Sequence, residues 1–511
     1  MNARLKKILF LFLAAAMLFA SSRIQNSLNH DRDTLVFTVA PPLQNAPPLL
    51  AFTTVALGGF RGLISNYLWI RANDLQLDDK YFEAAQLANW ITDLEPRFTE
   101  VWIFQAWNMA FNISVKFKDF PDRWHWVENG ISLLRDHALV YNPDNILIHR
   151  ELAWFYQMKM GDYLDDANNY YKQQWAEEMT PFFGPGGTNF AALLQPDNTN
   201  AIVLREKYKI DPVFAEKVNE EWGPLDWRLP EAHAIYWAAQ GLADAKKHPD
   251  KVKESDLITL RRVIYQSLLQ AFRHGRIISN PFDQGVELAP NLDLVNRAND
   301  AYLKMYAEEP DPAQKSGIYT AQRNFLRDAI KYLYVDGRTA EAAKWYQYLC
   351  VHFPDKMIID GDPKSLPKTM TVDEYVVRSV TQDVSETSRD DITTVIEGLL
   401  LQSYSSLAIG RDDHAAGLQL LAQKVYDRYQ RKMGLGQPRV ALPPMKALQR
   451  IVLDQLLDPQ NGWPYAARAA LRTQLRMPPE TSSTAPFQMS TNEVLSPFTA
   501  TNSSVTNFTT K

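Results

Sequence analysis

Apolar residues spaced three and four apart recur along most of this chain, and the runs they form end abruptly. "YFEAAQLANWITDLEP", "RWHWVENGISLLRDHALVYNP" and "AEAAKWYQYLCVHFP" each carry such a stripe and stop at a proline. That is the signature of an amphipathic helix followed by a residue that cannot continue it. Runs that alternate apolar and polar residues are scarce, so the pattern predicts an all-α protein.

Four stretches depart from the pattern. Residues 1–22 open with Arg4, Lys6 and Lys7 and continue as an uncharged apolar run from Ile8 to Ala20. This reads as an export signal that is either cleaved or kept as a membrane anchor. With the basic flank held in the cytoplasm, the rest of the chain is expected on the far side of the membrane. The expected location is the inner (cytoplasmic) membrane with the helices facing the periplasm or outside, or, after cleavage, the soluble periplasm. Residues 23–48 form a linker with two Pro-Pro pairs. Residues 181–230, which include "PFFGPGGTNFAALLQPDNTN" and "EEWGPLDWRLP", read as an irregular insertion with at most short helices. After a linker and terminal helices over 434–477, residues 478–511 are rich in Ser and Thr and read as a disordered tail.

Composition narrows the classes of partner. With 54 Lys+Arg against 59 Asp+Glu the formal net charge is -5, so no global positive field exists to hold a nucleic acid. The single cysteine, Cys350, sits among apolar and aromatic neighbours and reads as a structural thiol.

The proline-terminated helices also carry small residues at fixed offsets. In "NFLRDAIKYLYVDGRTAEAAKWYQYLCVHFPD", Gly337 falls at a turn between two helices, Ala342 at their contact, Tyr346 one turn later and Pro354 at the exit. This resembles a tetratricopeptide (TPR) repeat, a helix-turn-helix unit of about 34 residues that packs closely where side chains are small. Similar offsets recur with Ala72 and Ala84, with Ala106 and Ala138, and with Ala153, Tyr156, Gly161 and Ala167. A weaker match carries Gly410, Ala415 and Ala422. The second of these units has a connection, "NISVKFKDFPDR", longer than the family allows. The resemblance implies an α-solenoid of antiparallel helix pairs over 49–180 and again over 231–433. The stretch "VALGGFRGLISNYLWIRAND" lacks the strand and glycine spacing of a phosphate loop, and Arg61 interrupts it as a membrane span. It reads as the first helix of the array, with Gly58 and Gly62 admitting a close neighbour, or as an interfacial helix lying on the membrane. An export segment that leads into degenerate repeats in this way also resembles bacterial membrane-associated repeat proteins.

Motifs for chemistry are lacking. There is no HExxH, GxSxG, kinase signature or CxxC pair, and no cofactor or metal is expected. His125, His137 and His149 read as structural or surface residues. Asp165-Asp166 and Glu177-Glu178 are adjacent in sequence and read as parts of a solvated face.

The TPR resemblance instead implies a concave surface lined by the first helix of each pair. Its groove positions fall on Asn66, Trp69, Asn73 and Gln76, then Glu100, Ile103 and Trp107, then Arg150, Trp154 and Gln157. In the later unit they fall on Asn324, Arg327, Lys331 and Tyr334. Asn324, Arg327 and Lys331 resemble the amide and basic groups with which some family members hold a peptide carboxylate, and an ordinary hydrated helix face has the same composition. The tryptophans serve equally as helix-packing material. The expected function is a non-catalytic scaffold that docks a protein or peptide in a cell-envelope complex. The alternative, suggested by 13 Trp and 22 Tyr in an exported chain, is a glycan-binding module or the helical arm of a polysaccharide-handling system.

Overall fold

A computed structural model describes residues 60–480 except 163, 248, 250–251, 283–285, 383–387 and 434–440, together with Met17, Ala20, Ser21, Arg23 and Ile24. The export segment, the proline-rich linker with Gly58, and the tail beyond residue 480 otherwise lie outside the described residues. Within them the chain is predominantly α-helical, and no helix is long and apolar enough to cross a membrane. It divides into two compact units, Met1–Tyr334 with Arg338–Ser379, and Val335–Gly337 with Val380–Lys511.

The first unit opens with helix α1 (Phe60–Leu77) packed on α2 (Tyr81–Leu94). Helix α3 (Thr99–Trp107) follows and runs on through a π-helical turn, Asn108–Ile113, and a 3-10 turn, Ser114–Lys116. Most of the long connection expected here is therefore helix, and the loop proper is short. Helix α4 (Phe120–Ser132) starts with proline in its first turn, where no amide bond is lost. It is prolonged by a π-helical turn, Leu133–Ala138. Gly130 lets it lie close on α3, because a Cβ there would stand 2.9 Å from the Ala106 carbonyl oxygen and 3.2 Å from the Ala110 Cβ. Gly62 does no such work: nothing lies within 4 Å of the Cβ it lacks. Helix α5 (Ile146–Trp154) is capped by Asn145, whose side chain accepts from the amides of Leu147 at 3.0 Å and Ile148 at 3.4 Å. A further π-helical turn extends it through Phe155–Gly161.

After α6 (Asn168–Phe183) the stretch read as irregular holds α7 (Phe190–Leu193), α8 (Thr199–Glu206) and α9 (Pro212–Trp222). Its last turn is buried rather than looped out. Trp227 has no exposed surface and stacks on Phe183 with ring centroids 5.4 Å apart. Helix α10 (Pro230–Ala245) is buried along most of its length between α5 and α11 (Glu254–His274). A two-stranded antiparallel hairpin follows, β1 (Arg276–Ser279) with β2 (Val286–Ala289), pairing Ile277 with Leu288. Helices α12 (Val295–Glu308), α13 (Pro312–Val335), α14 (Thr339–His352) and α15 (Val372–Val380) come next. In the second unit α16 (Arg389–Ala408) packs against α17 (Asp412–Met433), α18 (Met445–Leu457) and α19 (Tyr465–Gln474).

The small residues picked out by their offsets are core residues. Ala72, Ala84, Ala106, Ala138, Ala153, Ala167, Ala342 and Ala422 have no exposed surface. Gly337 and Gly410 sit at turns with φ of 79° and 78°, a left-handed backbone that glycine adopts without strain. Gly161 ends a π-helical turn and has no such φ, so the third unit does not turn as the repeat pattern implies.

Candidate functional site

The predicted groove positions separate into three groups. Trp69, Trp107 and Trp154 are half-buried and meet other rings. Trp69 lies edge-on to Phe104 with centroids 4.9 Å apart, which joins α1 to α3. Trp107 and Trp154 are near-parallel with centroids 6.3 Å apart, which joins α3 to α5, and Phe111 fills the gap at 4.7 Å and 5.1 Å from them. Offset stacking of this kind is a stable aromatic geometry. These rings therefore link α1 to α3 and α3 to α5.

A second group is engaged within the fold. Gln157 is buried and reaches α11, donating to the Val263 carbonyl at 3.4 Å and to Gln266 at 3.3 Å. Arg327 forks onto Asp360 with bonds of 2.9 Å and 3.0 Å. Burial alone would lower its pKa, and the Asp360 bonds outweigh that, holding it above its ordinary value. Asn324 accepts from Arg323 and Arg327, and the buried Tyr334 donates to Asp373 at 2.5 Å. Lys331 lies 4.0 Å from Asp328. Asn324 and Arg327 thus face an internal carboxylate, the chemistry expected of them but with the chain's own Asp360 as its object. The third group, Asn66, Asn73, Gln76, Glu100, Ile103 and Arg150, is exposed or half-exposed on α1, α3 and α5.

A concavity of about 440 Å³ lies elsewhere, between the end of the α4 extension, the start of α5 and α10. Its apolar lining comes from Leu139, Val140, Pro143, Tyr236 and Trp237. Val140 is 62% exposed and Trp237 2%, so the wall grades from open rim to buried floor. Around it stand charges of both signs. Lys247 binds Asp244 at 2.6 Å and lies 3.5 Å from Asp144, and Arg135 is held by Asp136 through bonds of 2.8 Å and 2.7 Å. Tyr236 accepts from the Asp211 amide at 2.9 Å, which fixes the lower wall. His149 lies in the same wall with Nε2 3.5 Å from Asp244 and Nδ1 3.0 Å from the Asn145 carbonyl. Burial lowers its pKa against the opposing pull of Asp244, so it is neutral in the neutral range. The groove thus has an apolar centre and a charged rim.

The sequence did not lead to this groove, because Tyr236 and Trp237 belong to a helix read as repeat core. The adjacent acidic pairs are solvated only in part, with Asp166 and Glu177 exposed. Asp165 is buried, taking Lys159 at 2.5 Å, Arg123 at 3.1 Å, Tyr171 at 3.3 Å and the Ala167 amide at 2.9 Å, while Asp166 next to it is exposed and bonded to Arg123. Burial raises the Asp165 pKa less than these donors lower it, so it stays ionised. Glu178 is half-buried and accepts from Tyr208 at 3.0 Å. Of the three evenly spaced histidines, His149 is buried and His125 and His137 are exposed. Cys350 is half-buried, and burial raises its thiol pKa above the ordinary value. Among the described residues no three His, Cys, Asp or Glu side chains gather as metal ligands.

The described residues form a predominantly α-helical protein with a concavity whose wall is largely apolar and whose rim is charged. No protein-family model, no curated protein and no solved structure matches the chain.

Proposed function

We propose that the protein is a non-catalytic docking scaffold of TPR-like helix pairs, exported and held at or near the membrane by its N-terminal segment, with a protein or peptide of the cell envelope as its partner. One observation supports this reading above the others. The first helices of three successive pairs, α1, α3 and α5, are joined ring to ring through Trp69–Phe104 and Trp107–Trp154. A stack of pairs buries its apolar faces through such neighbour contacts and leaves an elongated surface for a partner. The groove beside α5, away from the predicted groove positions, has the composition of an interface core, and a peptide segment is its proposed occupant.

Two experiments test the proposal. A reporter active only outside the cytoplasm, fused after Met477, is expected to be active, and a silent reporter overturns the location. For docking, the full chain is purified from native membranes with and without Val140→Asp, which places a charge on the apolar wall. A stoichiometric protein partner that is lost in the variant supports the scaffold. Retention of an envelope polymer with no protein partner favours the glycan alternative and overturns it.

A further inference from the structure

The two glycine- and proline-rich stretches that break the helical pattern meet in space. Residues 185–188 and 224–228, with the start of β1 and residues 291–293, enclose a second cavity of about 290 Å³. Its wall contains a charge pair that is expensive to bury. Arg228 and Asp226 have side chains only 6% and 7% exposed, and they bond twice, Nε to Oδ1 at 2.8 Å and Nη2 to Oδ2 at 2.6 Å. Desolvating such a pair costs about as much as its attraction returns, so stability alone is a weak reason to keep it. The backbone makes room for it. Gly187 has φ of 76°, and a Cβ there would stand 2.2 Å from Asp226 Oδ1, so no other residue fits without displacing the carboxylate. Asp226 is further fixed by the Arg228 amide at 3.1 Å, and Trp227 anchors the turn by donating its amide to the Gly187 carbonyl at 2.9 Å. Everything in this corner holds the Arg228 guanidinium in one orientation at the cavity wall.

The negative groups at this cavity are already engaged. Asp226 is held as described, and Asp293 binds Arg338 at 2.7 Å. At the C-terminal end of α11, the Ala271 carbonyl accepts from the Gly275 amide at 2.7 Å and the Phe272 carbonyl from the Asn291 amide at 2.9 Å. What is left over is positive. Arg228 Nη1 has no hydrogen bond to the described residues, and Arg276, exposed on the rim, makes no ion pair with them. Thr188, with its hydroxyl, also lines the cavity.

We propose that this cavity binds an oxyanion group, a carboxylate or phosphate, between the fixed Arg228 and the exposed fork of Arg276. Paired guanidinium groups suit both, since each presents two donors in a plane to two oxygens. The site stands apart from the docking groove and does not depend on the scaffold reading. The two sources of such a group are a free or esterified phosphate and the carboxylate of a small acid or peptide terminus.

The test uses the purified full chain with orthophosphate, N-acetylalanine and, as neutral control, N-acetylalanine amide, with binding followed by ligand-observed NMR. Saturable binding of orthophosphate or of N-acetylalanine is expected, with at least tenfold weakening in Arg276→Gln and a smaller loss in Arg276→Lys. Arg276 is exposed, so these variants leave the buried pair intact. Arg205→Gln, at an exposed arginine paired with Asp211, should bind as the wild type does. Binding of orthophosphate alone assigns a phosphate ligand, and binding of N-acetylalanine alone assigns a carboxylate. No saturable binding, equal binding of the amide, or binding unchanged in Arg276→Gln overturns the site.

Discussion

Residues 60–161 and residues 181–230 each bury a core, but the two cores are built differently. In the first region the helices are longer, small residues such as Ala106, Ala110 and Gly130 set their approach, and the interior is shared among several large rings, Trp102, Trp124, Phe155 and Tyr156. In the second the helices are short, and the interior is a fully buried tryptophan beside an ion pair set in loops. A core spread over several elements and many side chains shares its loss when one contact is removed. A core made of one large ring and one charge pair is concentrated, and each member carries a large share.

The comparison is broken most sharply by removing single members of the second region. Asp226→Ala leaves Arg228 buried without its partner, and about 3–5 kcal/mol of stability should be lost. Trp227→Ala should cost about 3–5 kcal/mol by leaving a cavity against Phe183 and Phe190. Denaturant unfolding checks both, and a change under 1 kcal/mol in either would show that the second region is not concentrated as described.

The next effect concerns pH. Glu151, on the buried side of α5, has its pKa pushed up to about 7 chiefly by burial, with Arg150 pulling it down. Because the folded state raises this pKa, stability from the neutral acid is fully present below the unfolded value of about 4.3 and is lost as pH rises through about 7. Glu151→Gln should therefore raise stability at pH 8 by roughly 1–3 kcal/mol and leave it little changed at pH 4. His233 runs the other way. Burial pushes its pKa down to about 4, so the stability of the neutral ring is present above the unfolded value of about 6.5 and disappears as pH falls toward 4. A pH series on His233→Gln should show a flatter acid limb than the wild type.

Smaller effects are expected in the helical regions. Ala342→Trp forces a large ring into a site with no exposed surface and should cost on the order of 1–3 kcal/mol. An unchanged melting midpoint would count against a tight helix contact there. Trp107→Leu keeps apolar bulk but removes the stack on Phe111 and Trp154, and should cost only about 0.5–1.5 kcal/mol.

Much of the helical part was legible in the sequence because its cause is local. Period-3.6 stripes, prolines after helices and small residues at contacts express the same packing that the structure displays, as Ala72, Ala106, Ala153 and Ala342 illustrate. The loops were not legible, since nothing in "EEWGPLDWRLP" distinguishes a buried turn from an exposed one. Trp227 is buried only because Phe183, Phe190 and His233 arrive from other segments. Asp165 and Asp166 make the same point within one dipeptide, where burial of the first is decided by Lys159 and Arg123. The groove is illegible in the sequence for a related reason: Tyr236 and Trp237 have the spacing of core residues, and only the arrangement of α4, α5 and α10 leaves one edge of them open.

The central claim, that the groove beside α5 docks a protein, is tested most directly by placing a photo-activatable cross-linking residue at Val140 in the full chain and irradiating native membranes. Leu303 on α12, 46% exposed and remote in sequence, serves as the control position. The prediction is one discrete protein adduct from position 140, absent from position 303 and lost when Tyr236→Asp is introduced into the groove wall. No adduct at 140 above that at 303, or an adduct only with envelope polymer, would contradict it.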